Sequence, residues 1–230
     1  MARGSTFGQI VTMTRAEAGH STASSVGRNV SDQIGQTVRR VYERLHGDFS
    51  WPHLFTSRDV TLAAGQRYYA FHHELDPDRV GSAWYLPTDD SAWAPVDYGI
   101  ETVHLNTHNP ERDERSDPVR RWQRFDDDML EVWPMPATGG GTLRMEGMTR
   151  PRVLNADGDK ADLDDQLIAL YAAAEILTRQ NSADAQMKLD QALSRYQRLR
   201  GHMNNSDPIF SMNTTRNTRS RGITVRAPGT

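Results

Sequence analysis

The chain has 230 residues, enough for one large domain or two small ones with a sizeable buried core. Its formal net charge is −3, 37% of its residues are hydrophobic and its mean hydropathy is −0.70. That balance excludes bulk electrostatic binding of nucleic acid and leaves only local basic patches for such a role. No stretch approaches the roughly 18 apolar residues of a membrane span, residues 1–25 lack the apolar core of a secretory signal, and the absence of cysteine excludes disulfides and thiolate metal sites, as fits assembly in a reducing cytoplasm.

Residues 1–29 are rich in Ser, Thr, Gly and Ala with weak periodicity and read as a flexible lead-in. In the next segment Ile34, Val38, Val41, Tyr42 and Leu45 follow helical spacing on one face, with Ser31 as the expected N-cap and Gly47 as the stop. From residue 54 the texture changes. "DVTLAAGQRYYAF" reads as a β-hairpin around Ala64-Gly65-Gln66, and "SAWYLP", "WAPVDYGI", "TVHLN", "RRWQRF", "MLEVWPMP" and "TLRMEGM" follow as short strands, most of them separated by turn residues. Such a series predicts an antiparallel sandwich or small barrel. Residues 106–118 form a charged loop between two of these strands.

Helical spacing returns at Leu163, Leu167, Leu170, Ala174 and Leu177, with Asp162 and Asp165 resembling a capping box. After a break at residues 179–184, Ala185, Leu189, Ala192, Tyr196 and Leu199 repeat it, with Ser182 as cap and Gly201 as stop. The expected fold is therefore α+β. A first helix packs on a C-terminal helical hairpin, sharing a core of Ile34, Val38, Val41, Leu45, Leu163, Leu167, Leu170, Leu177, Leu189, Tyr196 and Leu199, and an antiparallel β-domain is inserted between them. The expected divisions are 1–29, 30–53, 54–155, 156–201 and an extended basic arm at 202–230.

Catalytic and metal chemistry find little support in the sequence. Counted from Asp157, the acidic run 155–165 places Asp162 and Ile168 where a calcium loop needs Gly and a bidentate acid, so it reads as a turn before an acidic helix start. His104 and His108 are four apart but in strand or loop texture, and the neighbours His72 and His73 point to opposite faces of a strand. "ATGGGT" lacks the Gly-Lys-Ser/Thr of a phosphate loop and reads as a hairpin tip. No nucleophile, base and orienting residue form a set, and no cofactor is expected. Trp84, Trp93, Trp122 and Trp133 all fall in the β-region, where they serve as sandwich core or as a sugar-stacking face.

The arm carries Met212, Arg216, Arg219, Arg221, Ile223, Val225 and Arg226. Ordering its last twenty residues costs on the order of 20–40 kcal/mol, and burying Met212, Ile223 and Val225 returns only about 1.5–3 kcal/mol each. It therefore needs another surface. The Ile-Thr-Val alternation suits strand addition to a partner's sheet, and the arginines suit carboxylates or phosphates. A nucleic-acid-binding arm and a carbohydrate-binding β-module remain alternatives.

The run "MLEVWPMPATGGGTLRMEGMTRPRVLNADGDKADLDDQLIALYAAAEIL" resembles the head-to-tail adaptor proteins of tailed phages, also called head-completion or connector proteins. The resemblance spans roughly residues 30–200, and the long lead-in lies outside it. It implies a virion protein of the head–tail junction, assembled in the host cytoplasm as a homo-oligomeric ring of twelve copies. Such a ring joins portal to tail and contacts tail proteins such as a nozzle, tube or fibre attachment. Double-stranded DNA passes through its channel without sequence specificity, and its C-terminal arm grips the portal. It implies no catalysis and no membrane contact.

Overall fold

A computed structural model of the protein describes residues 3–20, 28–88 and 92–203. Among these residues a helical bundle and a two-sheet β-sandwich each have a hydrophobic core of their own. The fold is α+β, with the sandwich inserted between the second and fourth helices and no closed barrel.

The flexible lead-in is corrected by helix α1 (Phe7–Glu17), which is part of the core. Thr6 caps it, its hydroxyl accepting from the Gln9 amide at 3.3 Å while the Gln9 side chain accepts from the Thr6 amide at 2.8 Å. Phe7, Ile10, Val11 and Thr14 are buried in a stripe on one face. Two first-turn amides, of Phe7 and Gly8, donate to the carbonyls of Asp159 and Asp157. The acidic turn thus holds the start of a helix. The Asp159 carboxylate shapes that turn by accepting from the amides of Asn155 and Ala156.

Helix α2 (Arg28–Asp48) is longer at both ends than its spacing predicts, so Ser31 and Gly47 lie inside it. Its carbonyl end is held from the sandwich. The guanidinium of Arg79 donates to the carbonyls of His46 at 2.7 Å and Phe49 at 2.9 Å, doing the work expected of Gly47. Helix α4 (Asp165–Arg179) is capped by Asp164, whose carboxylate accepts from the Leu167 amide at 2.9 Å, and Asp162 has a different use. Its carboxylate accepts from the hydroxyl of Tyr42 on α2 and pairs with Arg152. Helix α5 (Ala185–Met203) runs through Gly201, the expected stop.

Of the expected bundle residues, Ile34, Val38, Val41, Leu45, Leu163, Leu167, Leu170, Leu177 and Leu199 are buried. Leu189 and Tyr196 are half-buried, because α5 packs by one side on α4 and leaves its other side to solvent. The central α4 contacts α1, α2 and α5, so the bundle has four helices instead of three.

The sandwich is built from β1 (Phe55–Thr61), β2 (Tyr68–Ala70), β3 (Leu75–Leu86), β4 (Ala94–Pro95), β5 (Asp97–Tyr98), β6 (Arg121–Asp126), β7 (Met129–Trp133) and β8 (Thr142–Thr149). One sheet has the order β1-β8-β3-β4 and the other β2-β7-β6-β5. All pairings are antiparallel except β5 with β6. The expected hairpin of residues 59–71 is therefore absent: β1 pairs with β8 and β2 with β7, in different sheets. Leu62 is driven inward between the sheets, 1% exposed, and the chain crosses with it.

The glycine run at 139–141 is likewise a crossover from β7 to β8 and not a hairpin tip. Its backbone pairs with the first crossover, Gly140 N–H to the Leu62 carbonyl and Leu62 N–H to the Gly141 carbonyl. Gly140 has φ +93°, a conformation that favours glycine. The expected strand "TVHLN" is instead helix α3 (Thr102–Thr107), capped where His104 Nδ1 accepts from the Glu101 amide at 2.9 Å. The charged loop after it contains a single helical turn, Pro110–Arg112.

Candidate interaction surfaces

The buried polar groups of the chain serve packing. Asp164 is 2% exposed, and besides capping α4 it receives both Nε and Nη2 of Arg195 on α5, at 2.7 and 2.8 Å. This fork ties α5 to the start of α4, and the carboxylate holds the Arg195 pKa above its usual value. Where bundle meets sandwich, His46 is 2% exposed, its Nε2 has no hydrogen-bond partner, and Arg79 and His53 lie near it. Burial first, then the Arg79 guanidinium and the neighbouring His53, push its pKa down to about 4, so the ring is a neutral packing group. Trp51, 2% exposed, closes the same corner, with Nε1 donating to the Leu45 carbonyl at 2.9 Å.

The histidine pairs pack on other rings: His72 and His73, expected on opposite faces of a strand, lie outside the strands with their rings 4.4 Å apart, because the chain turns there between β2 and β3. His104 and His108 both pack their rings on Trp133, at 5.1 and 5.8 Å between centroids, and Trp133 Nε1 donates to the His108 carbonyl. In this way α3 covers one end of the outer face of the second sheet. Among the described residues no group of three or more His, Cys, Asp or Glu converges as a metal centre requires, and no helix is long and apolar enough to cross a membrane.

The four tryptophans do not form one stacking face. Trp122 and Trp133 are buried, Trp84 is half-buried with Nε1 donating to Glu146, and Trp93 lies outside the strands under the Arg144 guanidinium. The spread of Trp84, Trp122 and Trp133 over different strands is legible in the sequence, but the place of Trp93 outside them and the partner of each ring are not.

Large apolar side chains face solvent at several places, Tyr98, Val103 and Val153 among them. On the outer face of the second sheet, Glu131 is buried beneath Arg67 and Gln123. Beyond it Tyr68 meets Phe125 with ring centroids 4.3 Å apart, and Phe125 is 56% exposed. On the bundle, Met187 and Leu193 of α5 are exposed. A groove of about 680 Å³ beside them is lined by two acids, Glu17 and Asp190, and two arginines, Arg195 and Arg198, with Leu170 and Met187 among its other residues. The expected arm residues Met212, Arg216, Arg219, Arg221, Ile223, Val225 and Arg226 lie outside the described residues.

No curated protein matches the chain. A family model, that of the SU10 adaptor protein, matches residues 5–219. The match begins just before α1 and takes in bundle and sandwich together, so the segment expected as an unrelated lead-in is part of the family's unit. The chain belongs to the SU10 adaptor protein family, a family of phage head-to-tail adaptors.

Proposed function

We propose that this chain is a non-catalytic ring protein at the junction of portal and tail. Its helices form the ring body, its sandwich faces tail components or neighbouring copies, and double-stranded DNA passes through the channel. Residues 202–230 dock on the portal, with Met212, Arg216, Arg219, Arg221, Ile223, Val225 and Arg226 making the contact, and twelve copies match the form that the resemblance implies. The observation carrying this reading is the family match over residues 5–219, which includes Arg216 and Arg219. The energetics of the arm support it, since ordering that segment requires contacts from another surface. Within a ring many weak arms act together, so avidity replaces individual affinity.

Binding of the purified protein to the portal of the same phage tests the reading. Deleting residues 204–230 should weaken attachment severely, and undiminished attachment would remove the role given to the arm. A DNA-binding arm would instead show low-salt affinity for duplex DNA, with a log–log salt slope of about −3.6 for four phosphate contacts.

A further inference from the structure

The groove between α1, α4 and α5 runs along one side of α5, from Met187 to Arg198. It offers Met187, 49% exposed, and Leu170 of α4 for apolar contact. Its charged groups largely answer one another: Glu17 pairs with Lys188, Arg195 pairs with Asp164, and Asp190 accepts from Gln186. Charge therefore selects no occupant, but the reach of the chain does.

Helix α5 ends at Met203, and residues 204–230 follow it. They begin Asn204-Asn205-Ser206-Asp207-Pro208, residue types that favour reversal of the chain, and a proline so placed does not continue a helix. Directly after come Ile209, Phe210 and Met212, in a segment whose only other large apolar residues are Ile223 and Val225. On a helix rising about 1.5 Å per residue, Gln191 lies about 18 Å back from Met203 and Met187 about 24 Å. An extended chain covers about 3.3 Å per residue, so a reversal at Asn204 and Asn205 brings Phe210 level with Gln191 and Met212 level with Met187. Residues two apart share a side of an extended segment, so Phe210 and Met212 face the groove together. A cluster tethered this closely meets its site at an effective concentration on the order of millimolar, far above that of a separate dilute protein.

We propose that residues 209–212 of the free chain fold back along α5 and seat Phe210 and Met212 in the α1–α4–α5 groove of the same copy. Seated there, the start of the arm is covered until the portal displaces it, which restrains the arm in copies that have not met a portal. The release step rests on the portal-docking reading above; the folded-back state does not.

The native chain has no cysteine, so introduced thiols report without background. Full-length protein carrying Gln191→Cys and Met212→Cys keeps Phe210 as the anchor. Oxidised at high dilution without portal, it should close an intramolecular disulfide and run as a faster monomer on a non-reducing denaturing gel. Leu193→Cys with Met212→Cys is the control, because Leu193 is exposed on α5 within the same reach but outside the groove. Closure should be about tenfold faster for the Gln191 pair than for the control, and adding Phe210→Ser should remove most of that difference. Equal rates overturn the folded-back arm. Disulfide-linked dimers or longer multimers at the same dilution assign the groove to the arm of another copy and overturn it as well. Portal binding tests the release step separately: the oxidised Gln191 pair should bind the portal about tenfold or more weakly than the same protein reduced. Undiminished binding of the oxidised form overturns the release step. Failure of the wild type to bind the portal overturns the docking reading and the release step together, and the closure rates still decide the folded-back state.

Discussion

Gly147 sits in β8, the strand paired on both sides by β1 and β3. A Cβ there would lie 2.6 Å from the Arg79 carbonyl oxygen and 2.9 Å from the Val80 Cα, both backbone atoms of β3. Neither can move without shifting the strand that carries Arg79 to the end of α2. Gly147→Ala should therefore cost roughly 1–3 kcal/mol and lower Tm by several degrees, measurable by calorimetry. A melt identical to the wild type would show that the close approach is not required. His46 makes a second prediction at this scale. An unfolded imidazole titrates near 6.5 and the folded one near 4, so the unfolded chain takes up the proton first. The stability this neutral ring allows is complete above about pH 6.5 and is lost as pH falls towards 4. The loss should be on the order of 1–2 kcal/mol by pH 5, read from urea denaturation at pH 7.5 and 5. His46→Leu should flatten the difference; an unchanged pH dependence would assign it to other groups.

Helix α1 is the element whose role was least visible in advance. Thr6-x-x-Gln9 is a capping-box pattern, and Phe7, Ile10, Val11 and Thr14 follow helical spacing, so signals were present in the residues. Neighbouring small residues diluted them, and only α4 shows why they matter. With ten buried residues in fifteen, α4 needs apolar partners all round. Ile10 and Phe7 supply one side of that shell, each worth about 1.5–3 kcal/mol. Removing residues 1–18 should yield a chain with a less cooperative melt and increased binding of a hydrophobic dye. A truncated protein with the stability of the intact one would show that the bundle is complete with three helices. Helix α3 was missed for the opposite reason. The β-branched and apolar residues of "TVHLN" carry strand propensity, but Val103 is 68% exposed and there is no neighbouring strand to pack it against. The Glu101 cap and the Trp133 surface below determine its conformation instead.

For the whole molecule, charge is distributed by region, with the acidic surplus in residues 54–149 and the basic surplus outside them. If copies associate through these oppositely charged regions, the association rate should fall as salt rises from about 0.05 to 0.5 M, because screening lengths shrink below 10 Å. Light scattering during assembly measures this, and a rate indifferent to salt would exclude charge as the guide.

The sequence by itself determined the order of elements, most of the bundle core and the resemblance on which the family rests. Apolar spacing and turn chemistry act locally, and Leu163 to Leu177 or Ile34 to Leu45 show their period without reference to anything distant. Only the tertiary structure decided which strands pair, because the adjacent β1 and β2 look like a hairpin until Leu62 is seen to sink between two sheets. The end of α2 and the start of α4 were decided in the same way. A helix end stops where its free amides and carbonyls find partners, and Arg79 and Arg195 reach the ends of α2 and α4 through space from positions tens of residues away along the chain.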